Sequence, residues 1–458
     1  MASPGHPLQP GSTLTLQLNP FTWFYPLPMV ELENNDWMFI LMNPLDFTGH
    51  VSYRYCLDHV CANPASPSAE LLAGSTEFQP QDTSQLFEDS IESWGWPAPE
   101  PVDPIAMPDI SPRPSFEKGF ELLPLNNPAW SVSIESFSAA ASSMNANAVT
   151  LTPAWTAGRA QPIPSIQFNP ANSPLYQDLA SAAGSIAGND VNVNIKPILI
   201  SESNLDVWWQ EAPRDYSWWN LWFDRYSSMV LAYAHMAEET GARRFILGGP
   251  EVVPALPEGT LADGSSSQPP ADAESRWNEL ITEVRSIYSG TIAFEIVYNG
   301  TISPPPFLEA VDEIFIHWSA PLADTADTEP AVLQQNAVSL TDAMLDQLSG
   351  FESMPLIVSF SFPSVDGGST SCITGEQSAC IQADAFNSGT EIPGSPQADP
   401  AEQMQAVHAV MLALYRFEDI DGAYLNRTNP CTALPDKSAS IMGKPAEELV
   451  SAWFTGLE

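Results

Sequence analysis

Three features of the sequence predict an α/β fold. From Phe116 onward, short apolar runs alternate with helix-length amphipathic segments, and eight such runs can be counted. Before them lies a region of period-two strand patterns, and a proline-rich segment separates the two regions. Eight strand–helix units over residues 116–458 suit a (β/α)8 TIM barrel with insertions, so we predict this barrel preceded by an N-terminal antiparallel β-sandwich domain.

The N-terminal domain is predicted over residues 12–95 from three strand-like runs. "STLTLQLNP" and "HVSYRYCLDHVC" alternate apolar and polar residues, whereas "NDWMFILMNP" is a buried run, and turn residues separate them. The next segment, residues 96–115, contains "WPAPEPVDPIAMPDISPRP". Proline at this density excludes a helix or a central strand, and it predicts a stiff linker or a strap on the surface.

The barrel strands are predicted in chain order from eight apolar runs: "FEKGFELLP", "AVTLTPA", "NVNIKPILIS", "RRFILGGPE", "TIAFEIVYN", "EIFIHWSA", "MPLIVSFSFPS" and "DGAYLN". The longest helical segment, "WWNLWFDRYSSMVLAYAHMAEETGA", has apolar residues every three or four positions, and Gly241 is suited to end it. A doubly wound open sheet is the alternative. It normally has fewer strand–helix units, and the first strand here lacks a Gly-rich phosphate loop.

The charge balance limits the classes of partner. Fifteen basic residues against 56 acidic ones give a net charge of −41. Nucleic acid and anionic membrane surfaces are repelled by such a field, whereas neutral sugars are not. No stretch reaches the roughly 18 consecutive apolar residues of a membrane span. We therefore expect no nucleic-acid and no membrane partner, while self-assembly stays open.

The five cysteines predict two local disulfides. Cys56 and Cys61 enclose "LDHV", and Cys372 and Cys380 enclose "ITGEQSA"; both pairs lie in turn-rich segments that a disulfide can close. Cys431 would then be unpaired, and reduced buried thiols are the alternative. Disulfides require an oxidising compartment, so we expect an extracellular or cell-surface location.

Five segments carry a family resemblance, and they occur in the order that the family has them: "AHMAEETGARRFILGGPE", "VDEIFIHWSAPL", "MPLIVSFSFPSVDGG", "DPAEQMQAVHAVMLAL" and "MGKPAEELVSAWF". Residues 116–457 thereby resemble a clan A type glycoside hydrolase, in particular the mannanase-like (β/α)8 barrels. The N-terminal "YRYCLDHVC" segment also resembles a β-sandwich that accompanies such barrels and is expected to contact carbohydrate.

The resemblance implies a catalytic acid at Glu251, at the tip of the fourth strand. The family's nucleophile is a glutamate on the seventh strand, and alignment on "FPS" puts Ser359 at that position. A serine cannot form the usual glycosyl ester, so the expected strand-seven nucleophile is replaced. Hydrolysis by this chain would need a second carboxylate from elsewhere.

Several carboxylates are candidates for the second role. Glu202 follows the third strand, beside the fourth, and is the first candidate; either it or Asp366 would form an inverting pair with Glu251. Glu121 ends the first strand. Glu295 points inward from the fifth strand but lies about four residues, or roughly 13 Å, below its tip. For each of them, an ordinary buried or solvated carboxylate is the alternative.

Tryptophans near the ends of the barrel strands are candidate sugar-binding residues, because flat sugar faces stack on indole rings. Trp208 and Trp209 lie in the loop after the third strand, Trp155 follows the second strand and Trp318 lies on the sixth. Core packing is the alternative. Asn299 matches a family asparagine and is a further substrate-binding candidate. No motif indicates a cofactor or a metal.

These features predict an extracellular protein that binds a neutral polysaccharide or oligosaccharide and hydrolyses it with Glu251 as general acid. The alternative is a catalytically inactive barrel that serves as a carbohydrate-binding or structural component of a cell surface or extracellular assembly.

Overall fold

The computed structural model describes most of the chain, and most of its gaps fall before residue 102. The described residues are 1–4, 13–18, 27–32, 35–42, 51–57, 63–64, 76–81, 83–91, 94–95, 102–124, 130–170, 172–201, 204–375, 380–388, 394–430 and 437–458. Across these ranges, no helix has the length and apolar character needed to cross a membrane.

The described N-terminal residues form short strands. They are β1 (Ala2–Pro4), β2 (Leu14–Leu18), β3 (Leu27–Pro28), β4 (Val30–Glu31), β5 (Trp37–Met38), β6 (Val51–Leu57), β7 (Asn63–Pro64), β8 (Thr76–Phe78), β9 (Asp89–Ile91) and β10 (Trp94–Gly95). One four-stranded sheet has the order β3-β2-β6-β8, a second has the order β4-β5-β1-β9, and β10 pairs with β7. Leu16, Tyr53 and Trp37, from the two larger sheets, share one hydrophobic cluster.

Antiparallel pairing is thus present in this region, as predicted, although β1 and β9 run parallel. The arrangement of the sheets as a β-sandwich stays a prediction.

A closed parallel barrel forms the larger part of the chain. Its strands, in order around the barrel, are β11 (Glu117–Leu122), β12 (Ala148–Leu151), β15 (Asn192–Ile195), β17 (Arg244–Gly248), β18 (Thr291–Tyr298), β19 (Glu313–Trp318), β20 (Leu356–Phe360) and β23 (Gly422–Thr428). β23 pairs with β11 and closes the ring. The eight predicted strands are therefore confirmed, and the open-sheet alternative is wrong.

The remaining strands lie outside the barrel. β13 (Ala154–Ala157), β14 (Ile166–Gln167) and β16 (Ile198–Ser201) make a three-stranded sheet, and β21 (Ile373–Thr374) pairs with β22 (Cys380–Ile381). The second and third predicted strands each divide into a barrel strand and an outer strand, β12 and β13, then β15 and β16. Pro153 and Pro197 stand at the two divisions, where a missing N–H interrupts the ladder.

Helices surround the barrel: α1 (Trp130–Ser143), α2 (Tyr176–Ala187), α3 (Leu205–Glu211), α4 (Tyr216–Thr240), α5 (Ala273–Ile287), α6 (Pro330–Gln347), α7 (Pro400–Arg416) and α8 (Pro445–Gly456). Gly241 ends α4 in the left-handed conformation, as its position predicted. The prediction of a helix after every strand is wrong for β18, which is followed only by a 3₁₀ turn, Leu308–Ala310. Three consecutive prolines in "SPPPF" account for this, because proline cannot donate helical hydrogen bonds.

The barrel interior is layered. A central apolar layer contains Ile246, Ala293, Phe315 and Ile357. At the amino-terminal end of the strands, Arg244 is 1% exposed and forms ion pairs with Glu117 and Glu313. Since successive side chains alternate between faces, residues two positions after the central layer also point inward, toward the carboxyl-terminal mouth.

Residues 102–115 lie against the barrel as a strap. Ile105, Met107 and Ile110 pack on the barrel's hydrophobic core. The Arg113 guanidinium donates to carbonyls at the end of α7 and just after it, those of Tyr415, Phe417, Glu418 and Ile420. The Arg113 N–H donates to Leu457 O at the end of α8.

Candidate functional site

The turn after the fourth barrel strand positions Glu251. Gly248 and Gly249 have φ angles of 89° and 104°, which favour glycine because a Cβ atom would be strained there. The chain then enters a 3₁₀ helix, Pro250–Ala255, and Glu251 lies in its first turn. The two glycines therefore allow the chain to turn sharply at the strand's end and direct this carboxylate to the barrel mouth.

A second carboxylate lies beside Glu251. A Cβ atom built on Gly249 would be 2.7 Å from Glu251 Oε2 and 2.8 Å from Glu295 Oε2. The separation of these two oxygens therefore cannot exceed the sum of the two distances. The structure thus corrects the expectation that Glu295 lies too deep to take part. Although Glu295 lies several residues before the end of β18, it is in register with Gly248 at the end of the neighbouring strand β17. Glu295 is therefore close to Glu251, which follows β17.

Lys196 neutralises part of this negative charge. Its Nζ is 2.6 Å from Glu295 Oε2 and 2.9 Å from Glu121 Oε1, and its side chain is 3% exposed. Lys196 follows β15 directly, at the proline that ends the strand, so its side chain reaches the inside of the mouth. Burial disfavours the charged ammonium, but the two carboxylates outweigh this and raise the Lys196 pKa. Lys196 is therefore a cation at all physiological pH values.

The two neighbouring glutamates have opposite pKa shifts. Burial raises the pKa of Glu251 to about 8; Lys196 opposes this rise, and the negative charge of Glu295 adds to it. Burial acts on Glu295 in the same direction, but Lys196, in direct contact, and the neighbouring His317 together outweigh it and lower the Glu295 pKa to about 2. At neutral pH Glu251 is mostly a protonated acid and Glu295 is an anion. Two carboxyl groups with separated pKa values are the arrangement that acid/base chemistry needs.

Glu295, His317 and Ser359 belong to one inward-facing layer, two positions beyond Ala293, Phe315 and Ile357 of the central layer. His317 is paired with Ser359 in the strand register, and its Nδ1 is 3.8 Å from Glu295 Oε1, too far for a hydrogen bond. Ser359 is fully buried on β20, the seventh barrel strand. The residue in the family's nucleophile position thus shares a layer with Glu295.

Several buried polar atoms in this region have no hydrogen-bond partner among the residues that the structure describes. They are Glu251 Oε1, Glu295 Oε1, Glu121 Oε2, His317 Nδ1, Ser359 Oγ and Asn426 Oδ1. Buried polar groups in native proteins are usually satisfied, and exceptions concentrate at sites that bind water or ligands. The mouth therefore has donors and acceptors available for a polar ligand such as a sugar.

The other predicted carboxylates lie differently. Glu202 is outside the described residues. Asp366 is exposed after β20. Glu121 contacts the same lysine as Glu295 does. Among the carboxylates that the structure describes, it brings Glu251 and Glu295 together, and the predicted pairing of Glu251 with Glu202 stays a prediction.

The predicted sugar-binding tryptophans are largely covered. Trp208 and Trp209 lie on the helix α3 rather than in a loop, and they are 3% and 2% exposed. They belong to an aromatic cluster with Trp218, Trp219 and Trp222, and Trp209 Nε1 donates to Glu251 O at 3.1 Å. For these two residues the structure shows core packing, so a role in stacking on substrate has no exposed ring face to support it.

The remaining predicted substrate-binding residues are dispersed. Trp318 is 3% exposed and donates from Nε1 to Ala320 O, whereas Trp155 on β13 is half-buried. Asn299 is exposed after β18, and its Oδ1 accepts from the backbone and hydroxyl of Thr301. Their contact with a substrate stays a prediction.

One of the two predicted disulfides is present: Cys372 is bonded to Cys380 beside the β21–β22 hairpin. Cys56 is also disulfide-bonded. Its predicted partner Cys61 lies outside the described residues, as does Cys431.

Lys196 was not recognised from the sequence. It lies in "NIKPILIS", where a single lysine interrupts an apolar strand immediately before a proline. An isolated lysine in a buried apolar strand indicates a buried ion pair, because its charge needs carboxylate partners inside the fold. The same reasoning applies to Glu295 in "AFEIVYN", and together they would have indicated a buried ion pair.

The comparisons with known proteins agree with this geometry. Residues 130–335 match the model of Glycoside Hydrolase Family 113. The matched segment includes Glu251, Glu295 and Lys196, and it ends before Ser359. No curated protein matches the chain.

Solved structures with a similar fold include three GH113 β-mannanases. A GH113 β-1,4-mannanase solved as a complex has a TM-score of 0.56 at 17% identity, covering 74% of this chain and 99% of its own. The β-mannanase of Alicyclobacillus acidocaldarius in complex with ManMIm has a TM-score of 0.53 at 20% identity, with coverage of 75% and 97%. Another GH113 β-1,4-mannanase has a TM-score of 0.54 at 15% identity, with coverage of 76% and 99%.

At these identities the structural similarity shows the fold alone, whereas the family match rests on the sequence of the barrel's first two-thirds. Together with the closed eight-stranded ring, it confirms the resemblance seen in the sequence: the chain has a (β/α)8 barrel similar to those of clan A type glycoside hydrolases, and its residues 130–335 match the model of Glycoside Hydrolase Family 113.

Proposed function

We propose that this protein binds a neutral polysaccharide or oligosaccharide at the carboxyl-terminal mouth of its barrel and hydrolyses it with Glu251 as the general acid. The observation that carries this proposal is the position of Glu251 in the turn after the fourth barrel strand, where its carboxyl group lies beside that of Glu295. A buried carboxyl group with a pKa of about 8 keeps its proton at neutral pH and can deliver it to a glycosidic oxygen.

The class of substrate follows from charge and from the comparisons. A net charge of −41 disfavours acidic polymers, whereas an uncharged glycan meets no such repulsion. The GH113 proteins of similar fold are named as β-mannanases, which makes β-1,4-mannan the first substrate to test. We further propose an extracellular or cell-surface location, which the Cys372–Cys380 disulfide supports.

The test compares wild type with Glu251→Gln on β-1,4-mannan, β-glucans and α-glucans, with reducing ends as the readout. Loss of the general acid is expected to lower kcat at least about a hundredfold, because general acid catalysis contributes that much or more. Glu283→Gln, on the outer helix α5, is a matched control that should keep the wild-type rate.

Each result has a defined meaning. Hydrolysis that Glu251→Gln abolishes supports the proposal, and hydrolysis that survives the substitution removes Glu251 from the reaction. Binding without turnover on every glycan would favour the catalytically inactive alternative.

A further inference from the structure

We propose that Glu295, on the fifth barrel strand, replaces the missing strand-seven carboxylate and acts as the nucleophile of a retaining hydrolysis. This inference rests on the proposed function and deepens it. Its basis is that Glu295 and Ser359 point into the same layer of the mouth. The layer in which the family's nucleophile is missing therefore still contains a carboxylate, on another strand.

The separation of the two carboxylates favours retention. Their Oε2 atoms both lie within 2.8 Å of one point, the position of a Cβ on Gly249. An inverting enzyme needs about 6.5–9.5 Å between its carboxyl groups to hold a water molecule, whereas a retaining enzyme needs about 5–5.5 Å. The distance between these two oxygens is therefore at most the retaining value.

Glu295 also has the required charge and a usable atom. A nucleophile must be ionised, and Lys196 Nζ at 2.6 Å from Oε2 holds the anion. The other oxygen, Oε1, is buried and has no hydrogen-bond partner among the described residues, so no hydrogen bond would have to break when it attacks. Glu121, the other partner of Lys196, is not among the atoms nearest to the Gly249 position, so it is less well placed to act with Glu251.

The reaction then has two balanced steps. In the first, Glu295 Oε1 forms a bond to the anomeric carbon while the glycosidic C–O bond breaks, and the proton of Glu251 passes to the leaving oxygen. In the second, water attacks the anomeric carbon, its proton passes to Glu251, and the ester bond breaks with its electron pair returning to Glu295. Two inversions at the anomeric carbon give net retention.

The experiment distinguishes the acid from the nucleophile by comparing two substrates, one whose leaving group needs a proton and one whose leaving group does not. Glu295→Ala, Glu295→Gln and Glu251→Gln are compared on β-1,4-mannan and on 2,4-dinitrophenyl β-mannobioside, whose leaving group departs without a proton. We expect Glu251→Gln to lose mannan hydrolysis but keep a fast first step on the activated glycoside. The Glu295 variants should lose on the order of a thousandfold or more on both substrates.

Glu313→Gln is the matched fold control, because it also breaks an ion pair with a buried cation but at the opposite end of the barrel. It should keep the wild-type rate. Sodium azide should restore turnover of the activated glycoside in Glu295→Ala and give a mannosyl azide of inverted configuration, since azide then attacks in place of the carboxylate.

A trapping measurement needs no variant and covers the case in which Glu295→Ala fails to fold. Wild type incubated with 2,4-dinitrophenyl 2-deoxy-2-fluoro-β-mannoside should accumulate an ester on Glu295, found by peptide mass spectrometry within residues 291–298. NMR of the first mannan products should show the β-anomer.

The outcomes are distinguishable. If wild type and Glu251→Gln behave as expected but Glu295→Gln stays within about tenfold of wild type, or the first product is the α-anomer, the inference is wrong and the proposed function stands. An ester on another residue has the same meaning. Wild type without activity on any of these substrates would overturn both.

Discussion

Glu251 and Glu295 are the same side chain in neighbouring positions, yet their surroundings give them different charges. Glu295 contacts Lys196 and pairs with its ammonium, whereas Glu251 is a half-buried residue whose Oε1 is buried and which makes no direct cation contact among the described residues. An ionised Glu295 then makes a second negative charge at Glu251 costly, which adds to the effect of burial on the Glu251 pKa. Contact with Lys196, together with the effect of His317 on Glu295 and of burial on Glu251, therefore leaves the proton on Glu251.

The pH dependence of hydrolysis should follow from this arrangement. A general acid is active while protonated, so kcat/KM should fall by about tenfold per pH unit above the Glu251 pKa of about 8. Because the Glu295 pKa is lowered to about 2, no acid limb should appear between pH 4 and pH 7. Rates on mannan from pH 4 to pH 10 measure both limbs. A descending limb centred near pH 5 would contradict the assignment of Glu251 as a buried acid.

Gly249 should be intolerant of a side chain for two separate reasons. Its φ of 104° strains any other residue, and an added Cβ would collide with both carboxylates. Gly350 is the matched comparison, because its φ is 108° and a Cβ there would meet nothing within 4 Å. Both Gly→Ala changes should cost about 1–3 kcal/mol of unfolding free energy from strain.

Only Gly249→Ala should also lower kcat, by at least about a hundredfold, because it displaces the acid and its neighbour. Urea unfolding and mannan kinetics on the two variants measure these effects. Equal loss of activity in both variants would show that strain alone is responsible.

At the scale of the elements, α3 and α4 form a wall of aromatic side chains behind the fourth strand. Trp209 on α3 donates to the Glu251 carbonyl at 3.1 Å, and Trp218 on α4 donates to the Ala160 carbonyl at 2.8 Å. The two indoles are in contact, with ring centroids 5.8 Å apart. This wall therefore fixes the backbone of the turn that carries Glu251.

Replacing each indole tests that role. Trp209→Phe and Trp218→Phe both remove a buried hydrogen bond and should each cost about 1–3 kcal/mol of stability. Trp209→Phe alone should lower kcat, by about tenfold, with little change in KM, because it releases the Glu251 backbone. A raised KM with unchanged kcat would instead indicate that Trp209 binds substrate directly.

The sequence predicts some of these elements better than others. Buried parallel strands are continuous apolar runs, so all eight barrel strands could be recognised, and the family resemblance of "RRFILGGPE" made Glu251 a candidate acid. The short helix α3 was interpreted as a loop because its tryptophans follow no clear period over two turns. Lys196 and Glu295 lie on different strands, and their contact depends on the register around the ring, which no local pattern encodes.

At the scale of the whole molecule, a buried cation ties distant parts of the ring together. Arg244 on the fourth strand bonds to Glu117 on the first and Glu313 on the sixth, across the amino-terminal end of the barrel. This amino-terminal end of the barrel, with its Arg244 ion pairs, lies opposite the carboxyl-terminal mouth. The ion pairs of Arg244 connect the first, fourth and sixth strands, which are far apart in the sequence.

Arg244→Met should therefore destabilise the fold by about 3–5 kcal/mol, since it leaves two carboxylates without their shared partner. Arg285→Met removes an ion pair to Asp312 in which both side chains are 41% exposed, and it should cost less than about 1 kcal/mol. Guanidinium unfolding measures both. The pH profile of the Arg244 variant should match wild type, and a shifted profile would show that the two ends are coupled.

The strap has a practical consequence for anyone trimming this chain. A cut at residue 116, where the strand pattern begins, would discard Arg113 and leave four carbonyls at the end of α7 and just after it without their guanidinium donor. It would also uncover the apolar surface beneath Ile105, Met107 and Ile110. A truncated barrel should therefore begin before Ile105, inside the proline-rich stretch, and truncation series should be designed around that border.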